Sequence, residues 1–310
     1  MEGTLHRADK LTEFLNTSMA SRKPPKKTRL FLRRGEKISK GLKALATLQL
    51  ESAIAELHGK NVSPGAVHDA RVSIKKVRSI IQLAAPAMGR VRREYLLDLL
   101  HEASTRLAPL RDSEVQVQSL DLALEQAGLP AEQFSSLRNG LADIAKQRRA
   151  NDCRQVPRII DFLDKVLKSI PDWPLESLGA RDLRRRIRRT YRRGRTTIDI
   201  CQSGEDQEIF HTWRKLTKHL GYQLRLTAKY WPDDAKPLIT SVTKIGELAG
   251  RERDYAILLQ TLKNGPRNRS AEEAIAIVTA QLPTLRQQAL QEGERFYDLK
   301  PKLFVEPLDL

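Results

Sequence analysis

Apolar residues return at intervals of three and four along nearly the whole chain, the spacing of helices that bury one side. The pattern predicts helices over about Gly35 to Leu57, Ala66 to Ala85, Arg92 to Leu107, Ser113 to Gln126, Ala131 to Arg149 and Pro157 to Lys168. It resumes over about Ala180 to Ile200, Asp206 to Tyr230, Ala235 to Ala249, Tyr255 to Lys263 and Ser270 to Phe296. Breaks fall at Pro64-Gly65, Pro86, Gly128-Leu129-Pro130 and Asn264-Gly265-Pro266, where the backbone chemistry stops or turns a helix. Pro283 sits inside the last pattern and is expected to kink or split it. No stretch alternates at period two with β-branched residues, so no strand is expected and the fold class is all-α.

One motif organises this series. His68-x-x-Arg71-x-x-x-Lys75 returns as His211-x-x-Arg214-x-x-x-Lys218, shifted by 143 residues. Only six His are present, and none of the other four has Arg three residues on. At 100° per residue, His68, Arg71, Lys75 and Arg78 share a sector of about 80° on a helix. His211, Arg214, Lys218 and Arg225 share a similar one, with Tyr222 beside them. Val67, Ile74, Val77 and Ile81 form the adjoining apolar face of the first copy; Phe210, Trp213, Leu220 and Leu224 form that of the second. Each basic stripe therefore borders a buried face, which places it in a groove between helices. The bland reading, a solvated charged face, suits one such helix taken alone; duplication of a rare His favours function. Each copy is expected to carry one positively charged site.

Other matches follow in order. Lys37 and Lys40 precede the first motif, and Arg181 and Arg184 occupy comparable places at a shift of 144. Leu110-Arg111-Asp112 and Glu252-Arg253-Asp254 follow the two motifs, each expected to close a loop with its Asp as the N-cap of the next helix. Arg111 and Arg253 either hold an anion or pair with a carboxylate. A period of this size means two domain-sized copies rather than a solenoid. The chain thus divides into a mobile basic arm over 1–27, ending Arg22-Lys23-Pro24-Pro25-Lys26-Lys27, and helical halves over 28–170 and 171–310. Ile170-Pro171-Asp172-Trp173-Pro174 is the joint, with Trp173 expected to pack there.

Charge says what the copies are for. The net charge is +17 and the pI about 10, an excess that predicts an anionic partner. Ala180 to Arg195 holds nine Arg against one Asp, yet Leu183, Ile187, Tyr191 and Ile198 keep an apolar stripe that ties this helix into a bundle. Its remaining arginines, Arg188 among them, are then aimed at a groove. Arg grips phosphate oxygens bidentately and Lys adds a mobile point charge. A His amid such charge has its pKa pushed down until an anion arrives. Several such groups on neighbouring helices favour a polymeric anion over a single phosphate. Cys153 and Cys201 show no metal spacing and make no disulfide scaffold, though a single bridge stays open. No apolar run reaches about 18 residues and no secretory signal stands at the N-terminus, so the expected location is cytoplasmic.

At Val67-His68-Asp69-Ala70-Arg71-Val72 with Lys75, Lys76 and Arg78, and at Phe210-His211-Thr212-Trp213-Arg214-Lys215 with Lys218 and Tyr222, the chain resembles the conserved histidine α-helical domain (CHAD) family. The Arg111-Asp112 and Arg253-Asp254 pairs look like that family's later signatures, and the resemblance covers roughly residues 30 to 300. It implies two four-helix bundles related by a pseudo-twofold, a basic cavity that binds inorganic polyphosphate, and association with polyphosphate granules. Gly221 departs from the pattern by replacing a basic residue expected opposite Arg78, so the second site is expected either to be weaker or to lean on Arg225. No Glu-x-Glu-x-Lys signature of a fused triphosphate-tunnel domain occurs, nor a Walker loop, His-Glu-x-x-His or Gly-x-Ser-x-Gly elbow. The expectation is a binding module without catalysis, cofactor or metal. A nucleic-acid-binding protein is the main rival, weakened by 5% aromatic residues with none interleaved on the basic faces. A polyphosphatase or polyphosphate kinase is the third reading, and would need carboxylates converging on the phosphates to hold Mg²⁺.

Overall fold

The computed structural model describes residues 31–59, 62–204, 206–232 and 235–309; the basic arm lies outside them. These residues form helices and connecting turns, with no strand among them. The long helices are α1 (Ile38–Leu57), α2 (Pro64–Leu83), α3 (Arg90–Gln126), α4 (Ser135–Asp152), α5 (Val156–Ser169), α6 (Ala180–Ser203), α7 (Gln207–Leu226), α8 (Lys236–Asn264) and α9 (Arg269–Phe296). Helices α2 and α7 are each 20 residues long, and His68 and His211 are each the fifth residue of their helix. Both start on a side-chain cap. Ser63 accepts a hydrogen bond from the Ala66 N–H at 3.1 Å, and Asp206 accepts from the Glu208 and Ile209 N–H groups. Pro64 therefore opens α2 at its first turn, where a missing N–H costs nothing. The packing recurs as well: α1 lies on α2 and α6 on α7, α2 on α3 and α7 on α8, while α2 meets α7 and α3 meets α8 across the middle.

Two expected loops are absent. Asp112 lies inside α3 and Asp254 inside α8, so neither caps a helix. Burial explains why both helices run on. Leu96, Leu100, Ala103, Leu107 and Leu110 continue into Leu120, Ala123 and Leu124 along α3, and Ile245 and Ala249 continue into Tyr255 and Leu258 along α8. Burial on either side of the Asp outweighs its capping preference. Pro109 and Pro283 both sit within helices, so α9 is not split. Trp173 is 1% exposed, and its indole N–H donates to the Ser169 hydroxyl at 3.1 Å.

The apolar residues form two cores. The larger draws on α1, α2, α5, α6 and α7, on the first part of α3 and α8, and on the last part of α9. The smaller joins the far ends of α3 and α8, through Leu120, Leu124, Leu258 and Leu262, to α4 and α9. Between them the two long helices cross a polar waist, and Arg111 and Arg253 stand there.

Close packing at α9 gives a stability test. A Cβ built on Gly293 collides with the Trp213 indole and with Ile198. Gly293→Ala is expected to cost about 1–3 kcal/mol by overpacking. A thermal melt reads it, and an unchanged midpoint would mean that the core has slack there.

Candidate functional site

Burial of Val67, Ile74, Val77 and Ile81 turns the basic stripe of α2 towards α7, and burial of Phe210, Trp213, Leu220 and Leu224 turns that of α7 towards α2. The stripes consequently meet instead of forming two separate sites. Lys75 lies within electrostatic reach of Lys218, Arg71, Arg111 and Arg214. Burial, followed by these four cations, lowers Lys75 to about 7. Burial and then Arg214 and Arg111 lower Lys218 to about 8, partly offset by Asp254 and Glu247. Five cations from three helices and both halves thus face one another.

A groove of about 720 Å³ between α2, α3, α7 and α8 reaches this cluster at Arg111 and Lys218, while Arg71, Lys75, Arg214, Lys215 and His211 stand behind its lining. His68 and Lys76 line it from α2, Arg111 from α3, and Lys218, Tyr222 and Arg225 from α7. Its α8 wall carries Thr243, Glu247, Arg251 and Asp254. The stripes alone gave no sign of those two carboxylates, because α8 is distant in sequence. Gly221 makes room here: a Cβ on it would lie 3.2 Å from an Arg225 guanidinium nitrogen. Arg225 reaches over the glycine to donate to the Thr243 hydroxyl, with its guanidinium carbon 5.9 Å from the Tyr222 ring centre. The departure at Gly221 is therefore filled by Arg225.

Close ion pairs are scarce in the cluster. Among the described residues no carboxylate forms an ion pair with Lys75, Lys76, Arg78, Arg111, Arg214, Lys215, Lys218 or Arg253. Elsewhere cations do find partners, such as Arg138 with Asp121 at 2.9 Å and Lys165 with Asp161 at 2.8 Å. Arg71 donates from Nη1 to the Ser104 carbonyl at 2.9 Å. Among the described residues the buried Nε of Arg214 and Nδ1 of His211 have no hydrogen-bond partner. Burial, and then Arg111, lowers the His68 pKa. Burial with Lys215, Arg214 and Arg253 takes His211 to about 4. Both imidazoles are neutral at neutral pH.

Other expected site residues lie apart. Lys37 and Lys40 are exposed at the start of α1, and Arg181, Arg184 and Arg188 are exposed on α6; none lines the groove. Arg184 instead donates to the Leu308 carbonyl and holds the chain's end against α6. The α6 arginine that turns inward is Arg186, which donates to the Gln82 carbonyl at 3.0 Å. Arg186, Arg78 and Arg193 surround His219, whose two ring nitrogens lie 2.7 Å from the Ser79 hydroxyl and 3.1 Å from the Gln223 amide. Arg78 therefore sits in this second basic group, away from the residues that line the groove. Helical phase on α6 separates Arg186 from Arg184 and Arg188, but only the position of α2 shows which phase matters. Among the described residues no three His, Cys, Asp or Glu side chains group as metal ligands, and no helix is long and apolar enough to cross a membrane. Cys153 and Cys201 are both free.

The fold is shared with solved structures. The crystal structure of the CHAD domain from the plant Ricinus communis is similar with a TM-score of 0.70 and 19% identity, over 89% of this chain and 96% of that one. PptA from Streptomyces chartreusis is similar with a TM-score of 0.63 and 14% identity, over 84% of this chain and 99% of that one. No curated protein matches. The CHAD domain family model matches residues 43–263, most of the sequence and both copies of the histidine motif, so the chain belongs to the CHAD domain family.

Proposed function

We propose that the protein binds inorganic polyphosphate in the groove between α2, α3, α7 and α8, and does so without catalysis. Lys75, Arg111, Arg214 and Lys218, which meet from both halves with no ion pair to a described residue, carry this reading. Holding like charges together in a half-buried place is costly, and an anion offsets that cost when it binds. The groove is too large for one phosphate and is lined from four helices, which suits a chain of phosphates. Arg111 lies within reach of His68, Lys75, Arg214 and Lys218, and is the central contact. Neutral His68 and His211 donate one ring N–H each. Glu247 and Asp254 would repel phosphate, so the chain runs along the opposite wall, past His68, Lys76 and Arg111. Association with polyphosphate granules would follow from affinity for the polymer. The pseudo-twofold of two bundles, with halves meeting near residue 170, is supported by the equal lengths and matching registers of α2 and α7.

The lining offers little for bases to stack on. Tyr222 and Tyr255 are its aromatic residues, and Tyr255 is fully buried with its hydroxyl on Gln126 at 3.2 Å. Competition at physiological salt between long-chain polyphosphate and single-stranded RNA of equal charge tests the assignment. Polyphosphate is expected to win and to weaken as salt rises, since bound counterions are released. Equal or better RNA binding would sink it. Phosphate release or nucleotide consumption on incubation with Mg²⁺ would instead reveal an enzyme.

A further inference from the structure

Lys218 lies along the α8 wall of the groove with no ion pair to a described residue. Its aliphatic stem runs over Gly246 of α8, where a Cβ would come within 3.4 Å of Cγ and 3.6 Å of Cε. Its Nζ lies above Gly250, where a Cβ would stand 3.4 Å away. The two glycines, one helical turn apart, form a trough that carries the amine into the groove, which Lys218 lines. No hydrogen bond or ion pair joins Nζ to a described residue. Lys75 of α2, Arg111 of α3 and Arg214 of α7 face it as cations, and Glu247 and Asp254 of α8 as carboxylates. An amine placed this way is a nucleophile with phosphate-binding groups around it.

We propose that Lys218 is an acylation site for small acyl phosphates, which the groove holds by their phosphate end. This rests on the groove being an anion site, as proposed above. Arg111 and Arg214 take the phosphate oxygens, and the acyl carbon comes to Nζ. The nitrogen lone pair forms the N–C bond, the C–O bond to phosphate breaks with its electron pair, and the ammonium proton leaves with the phosphate. The product is an amide and inorganic phosphate. Lowered basicity provides the free amine. At pH 7.5 about a quarter of an amine of pKa near 8 is neutral, against roughly one in a thousand for an ordinary lysine. Acylation removes a charge from the centre of the cluster, so the same step would weaken polyphosphate binding.

The experiment treats the full-length protein with acetyl phosphate at pH 7.5 and follows each lysine by peptide mass spectrometry. Lys218 is expected to be acylated at least about tenfold faster than exposed Lys40, from the raised neutral fraction of Lys218 and the local phosphate contacts. With a neutral acyl donor such as acetic anhydride the ratio of Lys218 to Lys40 is expected to fall, because phosphate recognition is lost. Added long-chain polyphosphate should suppress the reaction at Lys218 and leave Lys40 unchanged. Acylation of Lys218 no faster than Lys40 overturns the proposal, and so does an unchanged ratio with the neutral donor. Titration of polyphosphate into the same protein separates the two readings. Binding without acylation removes this inference alone, whereas acylation with no polyphosphate binding removes the assignment of the polymer. Lys218→Gln, which copies the uncharged product, should lower polyphosphate affinity about tenfold, the scale of one charge-assisted contact.

Discussion

Replacing Lys75, Arg111 and Lys218 together with Gln is expected to weaken polyphosphate binding at least about 100-fold. Each charge-assisted contact contributes on the order of 1.5–3 kcal/mol, and the three stand at the centre of the cluster. Replacing Lys37, Lys40 and Arg181 instead removes the same formal charge from exposed positions outside the groove, and should cost only a few-fold through the general field. Isothermal titration at fixed salt compares them, and matching losses would mean a diffuse basic surface with no site. The free protein supplies an internal control of opposite sign. Unpaired cations repel one another when no anion is bound, so the central triple variant should melt at a higher temperature than wild type. Weak binding then cannot be blamed on unfolding. A binding site that lowers the stability of its own empty state is a common compromise between function and fold.

Polyphosphate affinity should fall about tenfold or more between pH 6.5 and pH 9. Lys75 and Lys218 are lowered to about 7 and about 8, well below the ordinary lysine value, by burial and the surrounding cations. A bound polyanion favours their charged forms and raises both, so binding takes up protons in this window and is opposed as protons become scarce. Stability of the free protein runs the other way. Below about pH 7 both lysines are charged in the folded state and the cost is fully present. Between the folded values and about 10.5 the unfolded chain holds more protons than the folded one, so stability rises with pH. Titration in buffers of different ionisation enthalpy measures the proton uptake. Arg in place of both lysines keeps the charge at all these pH values and should flatten the profile. His68 and His211 are already neutral at neutral pH, so replacing both with Ala should cost about 1 kcal/mol each and leave most of the slope. A slope that vanishes with the histidines and survives in the double Arg variant would shift the linkage to the imidazoles.

The helices that carry the motif were legible from the sequence because their signal is local. A rare His, its cations and the neighbouring apolar face all lie within one helix, so period and register followed from counting. The meeting of the stripes was not legible. Whether Lys75 faces Lys218 or solvent depends on how α2 crosses α7, and no spacing within either helix encodes that. The same limit separated Arg186, which reaches α2, from Arg181 and Arg188, which do not. Asp112 and Asp254 misled for another reason. Their capping preference is a local tendency of about 1 kcal/mol, and it lost to the burial on either side of them along α3 and α8. Glu247 and Asp254 entered the groove from a helix the motif does not include.

Because the duplicated motifs converge on one cluster, doubling the gene segment has not doubled the valence. One polymer strand should saturate one protein molecule, with a stoichiometry of one and a Hill coefficient of one. In the proposed complex the halves share a single ligand, so an intact copy would not substitute for a damaged one. Loss of Arg111 from the first half removes a cation that stands beside Lys218 of the second half in the same cluster. Selection on such a protein therefore acts on the pair as a unit. Either half on its own would be half of an aperture, with no partner to face.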